Sequence, residues 1–165
     1  MRVEFLGTGG AITTPRPFCA CRVCAEAREK GPPCSRSGPT LFIHGPDVLI
    51  DTPDEIKDQL NRSRVTRIDA CFYWHWHPDP VMGRRLCEFN KDFRNWPAQD
   101  RSTRVYLSAQ VAEDTRHRLG TWQHFEFLQQ QNLVDVVELA DDETVKLGGY
   151  SIRPFRLAES YEALD

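Results

Sequence analysis

The sequence predicts a layered α/β fold. Strand-like and helix-like segments alternate through the first part of the chain, and hairpin-like strand pairs cluster later, which is the pattern of sheet layered with helix. The chain has 165 residues, 40% of them hydrophobic and 27% charged, enough for one globular domain with a substantial core. No repeat, linker or low-complexity stretch divides residues 1–165.

Each element has its own signal. "RVEFLG" reads as a strand, ended by "GTGG", where glycine supplies freedom at positive φ. Residues 11–39 hold a cysteine cluster and many prolines around one short helical piece, "AEAREK", and read as a long functional loop. "TLFIHGPDVLID" reads as a hairpin about Gly45-Pro46. Thr52 is placed as an N-cap with Pro53 at the first helical position, for a helix to about Asn61. "IDACFYW" reads as a buried strand, followed by a helix from Pro80 to about Phe89. "RVYLS" is a further strand. Ser108 caps a helix to about Leu119, and Thr121 caps the next, containing "WQHFEFLQQQ". "LVDVVEL", "ETVKL" and "YSIRPFRL" are three closing strands, the last two joined through Gly148-Gly149.

Composition narrows the function. The formal net charge is −3, so no global basic field favours nucleic acid as a partner. The local clusters Arg62, Arg64, Arg67 and Arg84, Arg85 read as solvated faces. The N-terminus lacks the apolar core of a signal peptide. No apolar run approaches the ~20 residues that cross a bilayer. A soluble cytoplasmic protein with no membrane partner is expected. In that compartment the six cysteines read as metal ligands or buried thiols before disulfides.

The stretch "CFYWHWHPDPVMG", residues 71–83, carries the strongest chemistry. In extended chain, alternate side chains share a face, so His75 and His77 fall on one side and Trp74 and Trp76 on the other. Two imidazoles at a strand end can grip one ion, and Asp79 can add a carboxylate, a donor set for Zn²⁺, Mn²⁺ or Fe²⁺. The same residues also admit a plainer reading, with Asp79 as an N-cap and Pro80 opening a helix. His44, beside a hairpin turn, reads as a surface residue. His117 and His124, on amphipathic helices, are not expected to ligate metal.

A second constellation is "CACRVC". Cys19, Cys21 and Cys24 are spaced so that a curling loop can gather three sulfurs about one ion, and Zn²⁺ is the usual choice. Three ligands leave a fourth position, for which Cys34 is the nearest candidate in sequence. Cys71 and Cys87 follow core patterns and read as small buried hydrophobes.

Together "FLGTGG", "VLIDTP" and "HWHPDPVMG" resemble the metallo-β-lactamase-fold hydrolases, and the added "CACRVC" is most similar to the phosphodiesterases of the carbon–phosphorus lyase pathway. The resemblance implies an αββα sandwich, of which residues 1–165 form the N-terminal part, with a cysteine-rich zinc loop at about 15–38. It places His75 and His77 on the two histidines that hold a first metal, and Asp79 on the aspartate that holds a second. The family's next ligand is histidine, where this chain has Pro80. A further family histidine coincides with Glu159, and the remaining ligands belong to a C-terminal half beyond Asp165.

The implied activity is metal-dependent hydrolysis, phosphodiesterase-like, on a small-molecule phosphoester. In such a site two ions about 3.5–4 Å apart share a hydroxide that attacks the substrate. Asp79 would ligate or orient that nucleophile, the cysteine zinc would brace the loop, and the glycines of "GTGG" would let backbone approach metal or substrate. The alternative is a non-catalytic zinc-binding relative acting as an interaction module. Half of a sandwich leaves sheet edges and an apolar face open, so a homo-oligomer or pairing with a missing C-terminal half is expected.

Overall fold

A computed structural model describes residues 1–84, 89 and 102–155. Six strands form one mixed sheet in sequence order: β1 (Arg2–Gly7), β2 (Thr40–His44), β3 (Val48–Ile50), β4 (Ala70–Tyr73), β5 (Thr103–Ser108) and β6 (Val134–Leu139). β1, β2 and β3 run as an antiparallel meander, whereas β3 to β6 are all parallel. Parallel neighbours need crossovers. The first contains α2 (Ile56–Arg62), and the one from β5 to β6 contains α4 (Ala109–Asp114) and α5 (Trp122–Gln130). Helix α1 (Arg22–Lys30) lies in the loop between β1 and β2. The layered α/β reading and the order of its elements are observed.

Strand alternation divides the apolar side chains between two faces. Phe42, Leu49, Cys71, Tyr73, Val105 and Leu107 point to one, where Ile56, Val111, Phe125 and Leu128 of the helices meet them. Val48, Ala70, Phe72, Tyr106 and Leu139 point to the other, covered by Val145 and Leu147. These last two lie on β7 (Val145–Leu147), which pairs only with β8 (Tyr150–Ile152) among the described residues. The hairpin turns at Gly148 and Gly149, both at positive φ (52° and 81°), as the glycine pair suggests. Phe72 stacks on Tyr106 with ring centroids 4.7 Å apart beneath it.

Among the described residues, coverage of that second face is incomplete. On the edge strand β1, Val3 is 43% and Phe5 71% exposed, and they stand opposite Ile43 and Leu41. No helix among the described residues is long and apolar enough to cross a membrane.

Several local expectations change. Helix α2 begins at Ile56, with Glu55 at the cap position, not at Thr52. Thr52 is fully buried, and its hydroxyl is engaged with the Tyr73 hydroxyl at 2.6 Å, so it has no role as a cap. Ser108 does cap α4, its hydroxyl accepting from the Val111 N–H at 3.2 Å. That helix widens into a π-helical turn, Thr115–Leu119, and stops at Gly120 in the left-handed region. Helix α1 starts at Arg22, earlier than the "AEAREK" segment.

Arg84 departs furthest from expectation. It is 4% exposed, not part of a solvated face. Its guanidinium donates to the Val81 carbonyl at 2.9 Å, the Thr121 carbonyl at 2.8 Å and the Thr121 hydroxyl at 2.6 Å. Thr121 precedes α5 but makes no side-chain cap; its hydroxyl is taken by Arg84. Arg62, Arg64 and Arg67 are exposed as expected, and Arg67 pairs with Asp69. Arg85 and Cys87 lie outside the described residues.

Candidate metal centre

The parallel arrangement brings the carboxyl ends of β3 and β4 side by side, with Ile50 opposite Phe72. Ligand sites in open α/β sheets form outside such strand ends. Asp51 leaves β3 at φ 63°, a left-handed conformation that Asp tolerates better than most residues. Its N–H donates to the Phe72 carbonyl at 3.0 Å. The Thr52 N–H donates to the Pro80 carbonyl at 2.7 Å, and the Gly83 N–H to the Thr52 carbonyl at 2.9 Å. A Cβ at Gly83 would lie 1.9 Å from the Pro53 carbonyl oxygen, so only glycine permits this closure. The loops after β3 and β4 are thereby fastened together, with α3 (Pro78–Val81) between them.

The two histidines stand at this edge. Their ring centroids are 4.0 Å apart, and His75 Nε2 lies 2.6 Å from His77 Nδ1. The Trp76 indole packs edge-on to His77, centroids 4.5 Å apart. The paired tryptophans do not share an environment: Trp74 is 67% exposed, whereas Trp76 packs against the helix-side core. Asp79 is not gathered with the histidines into a group of donors within 4.8 Å of one another. It is not an N-cap either. His77 holds the cap position, Pro78 opens α3, and Asp79 lies in its first turn. Pro80 is buried and offers its carbonyl to Thr52. The α3 segment ends at Val81, and most of the longer helix expected to Phe89 lies outside the described residues. Glu159 also lies outside them.

Asp51 is a participant that the motif "VLIDTP" contained but that was given no role. It is 2% exposed, and its Oδ1 has no hydrogen-bond partner. Burial pushes its carboxyl up to about 8, hydrogen bonds from the Trp74 backbone and side chain oppose that, and the charge of Asp79 adds to it. A buried carboxylate with an orphan oxygen is a group whose ionised form a nearby cation would stabilise. The donors fit one borderline divalent ion held chiefly by His75 and His77. They give less support for a second, since Asp79 stands apart and Pro80 brings no side-chain donor.

The cysteine cluster forms separately. Cys19, Cys21 and Cys24 offer sulfurs all within 4.8 Å of one another, and this is the one such group of three or more donors among the described residues. Cys21 occupies the N-cap of α1 and Cys24 its first turn, where the helix dipole favours anionic sulfur. The Cys24 N–H, followed by the Cys19 and Cys24 thiols, brings Cys21 down to about 7. At Cys24 the Arg16 N–H, 3.4 Å from the sulfur, pulls downward, but burial and the neighbouring thiols prevail and push the thiol up. Arg28 holds the loop, donating to the Cys19 carbonyl at 2.7 Å and the Arg16 carbonyl at 2.8 Å. Three convergent soft donors at a helix start fit a zinc ion. Cys34 does not join them.

Other expected residues find ordinary places. Cys71 is fully buried, and burial pushes its thiol far up. His44 is not a free surface residue; its Nε2 lies 2.7 Å from Glu4 Oε2, beside Arg2. His117 pairs with Glu113 at 3.3 Å on an exposed face. His124 is exposed on α5 and shifted down, first by desolvation and then by the charge of Arg84. Gly7 and Gly9 pack closely on the 37–38 backbone: a Cβ at Gly7 would lie 2.0 Å from the Gly38 carbonyl oxygen, and one at Gly9 2.6 Å from that of Ser37.

This mixed sheet, helices on one face, with histidines after its fourth strand, is part of a metallo-β-lactamase fold. Solved structures that share it include a diphosphatase of the PhnP family, 23% identical with a TM-score of 0.67, aligned over 93% of this chain and 60% of that one. Zinc-bound PqqB from Methylobacterium extorquens is 15% identical with a TM-score of 0.64, over 89% of this chain and 48% of that one. The short form of human tRNase Z is 21% identical with a TM-score of 0.50, over 84% and 45% respectively. The chain thus spans less than two thirds of the length of each. No protein-family model and no curated protein matches the sequence.

Proposed function

We propose that the chain carries the first-metal portion of a metal-dependent hydrolase acting on phosphoesters, braced by a structural zinc on Cys19, Cys21 and Cys24. The observation that carries this reading is the adjacency of the two imidazoles, His75 Nε2 and His77 Nδ1 sharing a hydrogen bond at 2.6 Å that a bound ion would replace, at the strand end that Asp51 also borders. The diphosphatase named among the structural neighbours supports phosphoester over other substrates. Zinc, manganese or iron suits the imidazole pair, and zinc the thiols.

His75 and His77 would hold the ion, which supplies a hydroxide at neutral pH when bound. The protein's own contribution is positioning. Thr52, Pro80 and Gly83 lock the two loops by main-chain hydrogen bonds, so the imidazoles are presented from a rigid edge. Packing by Trp76 limits rotation of His77. Asp51, hydrogen-bonded by Trp74, sets a buried carboxyl at the end of β3.

The test is metal content and turnover on the same preparations. Protein purified anaerobically without added metal should hold two classes of ion. One should be lost on replacing Cys19, Cys21 and Cys24, the other on His75→Ala or His77→Ala. Hydrolysis of bis-(p-nitrophenyl) phosphate should disappear with the second class. A single zinc, indifferent to both histidines, with no turnover, would sink the hydrolase reading and leave a zinc-binding interaction module.

A further inference from the structure

We infer that Cys21 and Cys24 form a reversible oxidation site: hydrogen peroxide joins them as a disulfide, and zinc held by the cluster leaves. Zinc release rests on the proposed cysteine-held ion, whereas the disulfide itself requires no metal. The pair reads Cys-Arg-Val-Cys and opens α1, with Cys21 at the N-cap and Cys24 in the first turn. Cys-x-x-Cys is the spacing of redox-active thiol pairs.

The backbone prepares the contact. Cys21 is extended, at φ −65° and ψ 155°, the conformation from which an N-cap side chain folds over the first turn. Cys24 occupies the third helical position, the place that pairs reciprocally with the N-cap in a capping box. The sulfurs of Cys19, Cys21 and Cys24 accordingly lie within 4.8 Å of one another, so a change of rotamer brings two of them to bonding distance. The frame around them is fixed. The Ala25 N–H donates to the Cys21 carbonyl at 2.9 Å, and Arg28 ties the 16–19 segment to α1 through the Arg16 and Cys19 carbonyls. Bonding Cys19 to Cys21 would instead close a ring over Ala20 alone, which an unstrained disulfide geometry disfavours.

Exposure separates the roles of the two thiols. Cys21 is exposed, whereas Cys24 is 4% exposed, with the Arg16 N–H 3.4 Å from its sulfur. A structural zinc alone accounts for the convergence, but it gives no reason for one open and one buried sulfur. Oxidation does, since one thiol must meet the oxidant and the other must wait beside it. The Cys21 sulfur attacks one peroxide oxygen, the O–O bond breaks, and the departing hydroxide takes the thiol proton as water. The Cys24 sulfur then attacks that of the Cys21 sulfenic acid, forming the S–S bond and releasing a second water with its own proton. The two thiols lose two electrons and peroxide gains them. Where the sulfurs start as zinc-bound thiolates, solution supplies both protons, and Zn²⁺ departs because Cys19 alone remains as a donor.

The experiment treats the full chain, zinc-free and zinc-loaded, with hydrogen peroxide and maps its tryptic peptides without reduction. Trypsin cuts after Arg22, between the pair, so only a disulfide keeps the two peptides joined. The cross-link should form in zinc-free protein, and dithiothreitol should reverse it. It should persist in Cys19→Ser and vanish in Cys21→Ser and Cys24→Ser, with circular dichroism showing all three folded. Zinc-loaded protein should release its ion to a chromophoric chelator as the cross-link appears. Zinc content before oxidation tests the proposed brace separately, because the cross-link in zinc-free protein does not depend on it. Sulfinic acid at Cys21 without a cross-link would overturn the inference. So would a cross-link that survives Cys21→Ser or that engages Cys34. Cross-linked protein that keeps its zinc would overturn the release.

Discussion

The Arg84 guanidinium carbon lies 4.3 Å from the centroid of the Phe125 ring, and this contact joins the loop after α3 to the helix layer. Three hydrogen bonds to Val81 and Thr121 fix the same group. Arg84→Ala removes all of these and leaves buried acceptors unpaired, for an expected loss of about 2–4 kcal/mol. Arg84→Lys should recover little of it, since an ammonium cannot reproduce the fork. Urea unfolding midpoints of the two variants check this; a lysine variant as stable as the parent would contradict the geometry.

Arg84 also shows where sequence reading stops. Charged residues in pairs are solvated far more often than buried, and nothing local in "GRRL" signals acceptors from Thr121, distant in sequence. Thr52-Pro53 misled for a related reason. The dipeptide has good cap chemistry, but the Thr52 hydroxyl is claimed across the sheet by Tyr73. Signals that depend on a few neighbouring residues survived. The alternation of "ACFY" and "VYL", the Ser108 cap and the His-x-His and cysteine spacings all correspond to observed geometry. Asp51 was illegible because its significance lies in lacking a partner.

The cysteine cluster gives a sharp contrast. Cys19, Cys21 and Cys24 converge and Cys34 does not. Serine at any of the three should lower zinc content by about one equivalent per chain and lower the melting temperature, because structural zinc binding is coupled to folding. Cys34→Ser should leave zinc content unchanged. Elemental analysis of the four variants decides, and zinc loss in Cys34→Ser would show that the loop rearranges around the ion.

The open face on β1 makes a prediction about association. Phe5, 71% exposed, stands beside Leu41 on the side of the sheet that the β7–β8 hairpin leaves uncovered. An exposed apolar edge of this kind drives self-association. Phe5→Glu should shift the isolated chain toward monomer in sedimentation velocity runs without lowering its helix and strand content. An unchanged distribution would remove this face as the seat of association.

Asp51 links the metal centre to pH. Burial, the dominant cause, raises its folded carboxyl to about 8, above the ordinary range near 4 of an unfolded chain. A group raised in this way favours the folded state while protonated. Its contribution is complete below about pH 4 and is lost as pH rises towards about 8, with a slope of up to about 1.4 kcal/mol per pH unit. Metal-free protein, with His75 and His77 both replaced by Ala to exclude their own titration, should therefore lose stability across that window. Asp51→Asn in the same background should flatten the loss. Loading the parent with metal should also flatten it, since a cation beside the histidines favours the ionised carboxylate and lowers its pKa. Denaturation midpoints at intervals from pH 4.5 to 8.5 give the slopes directly. An Asp51→Asn slope equal to that of its background would mean that another group carries the pH dependence.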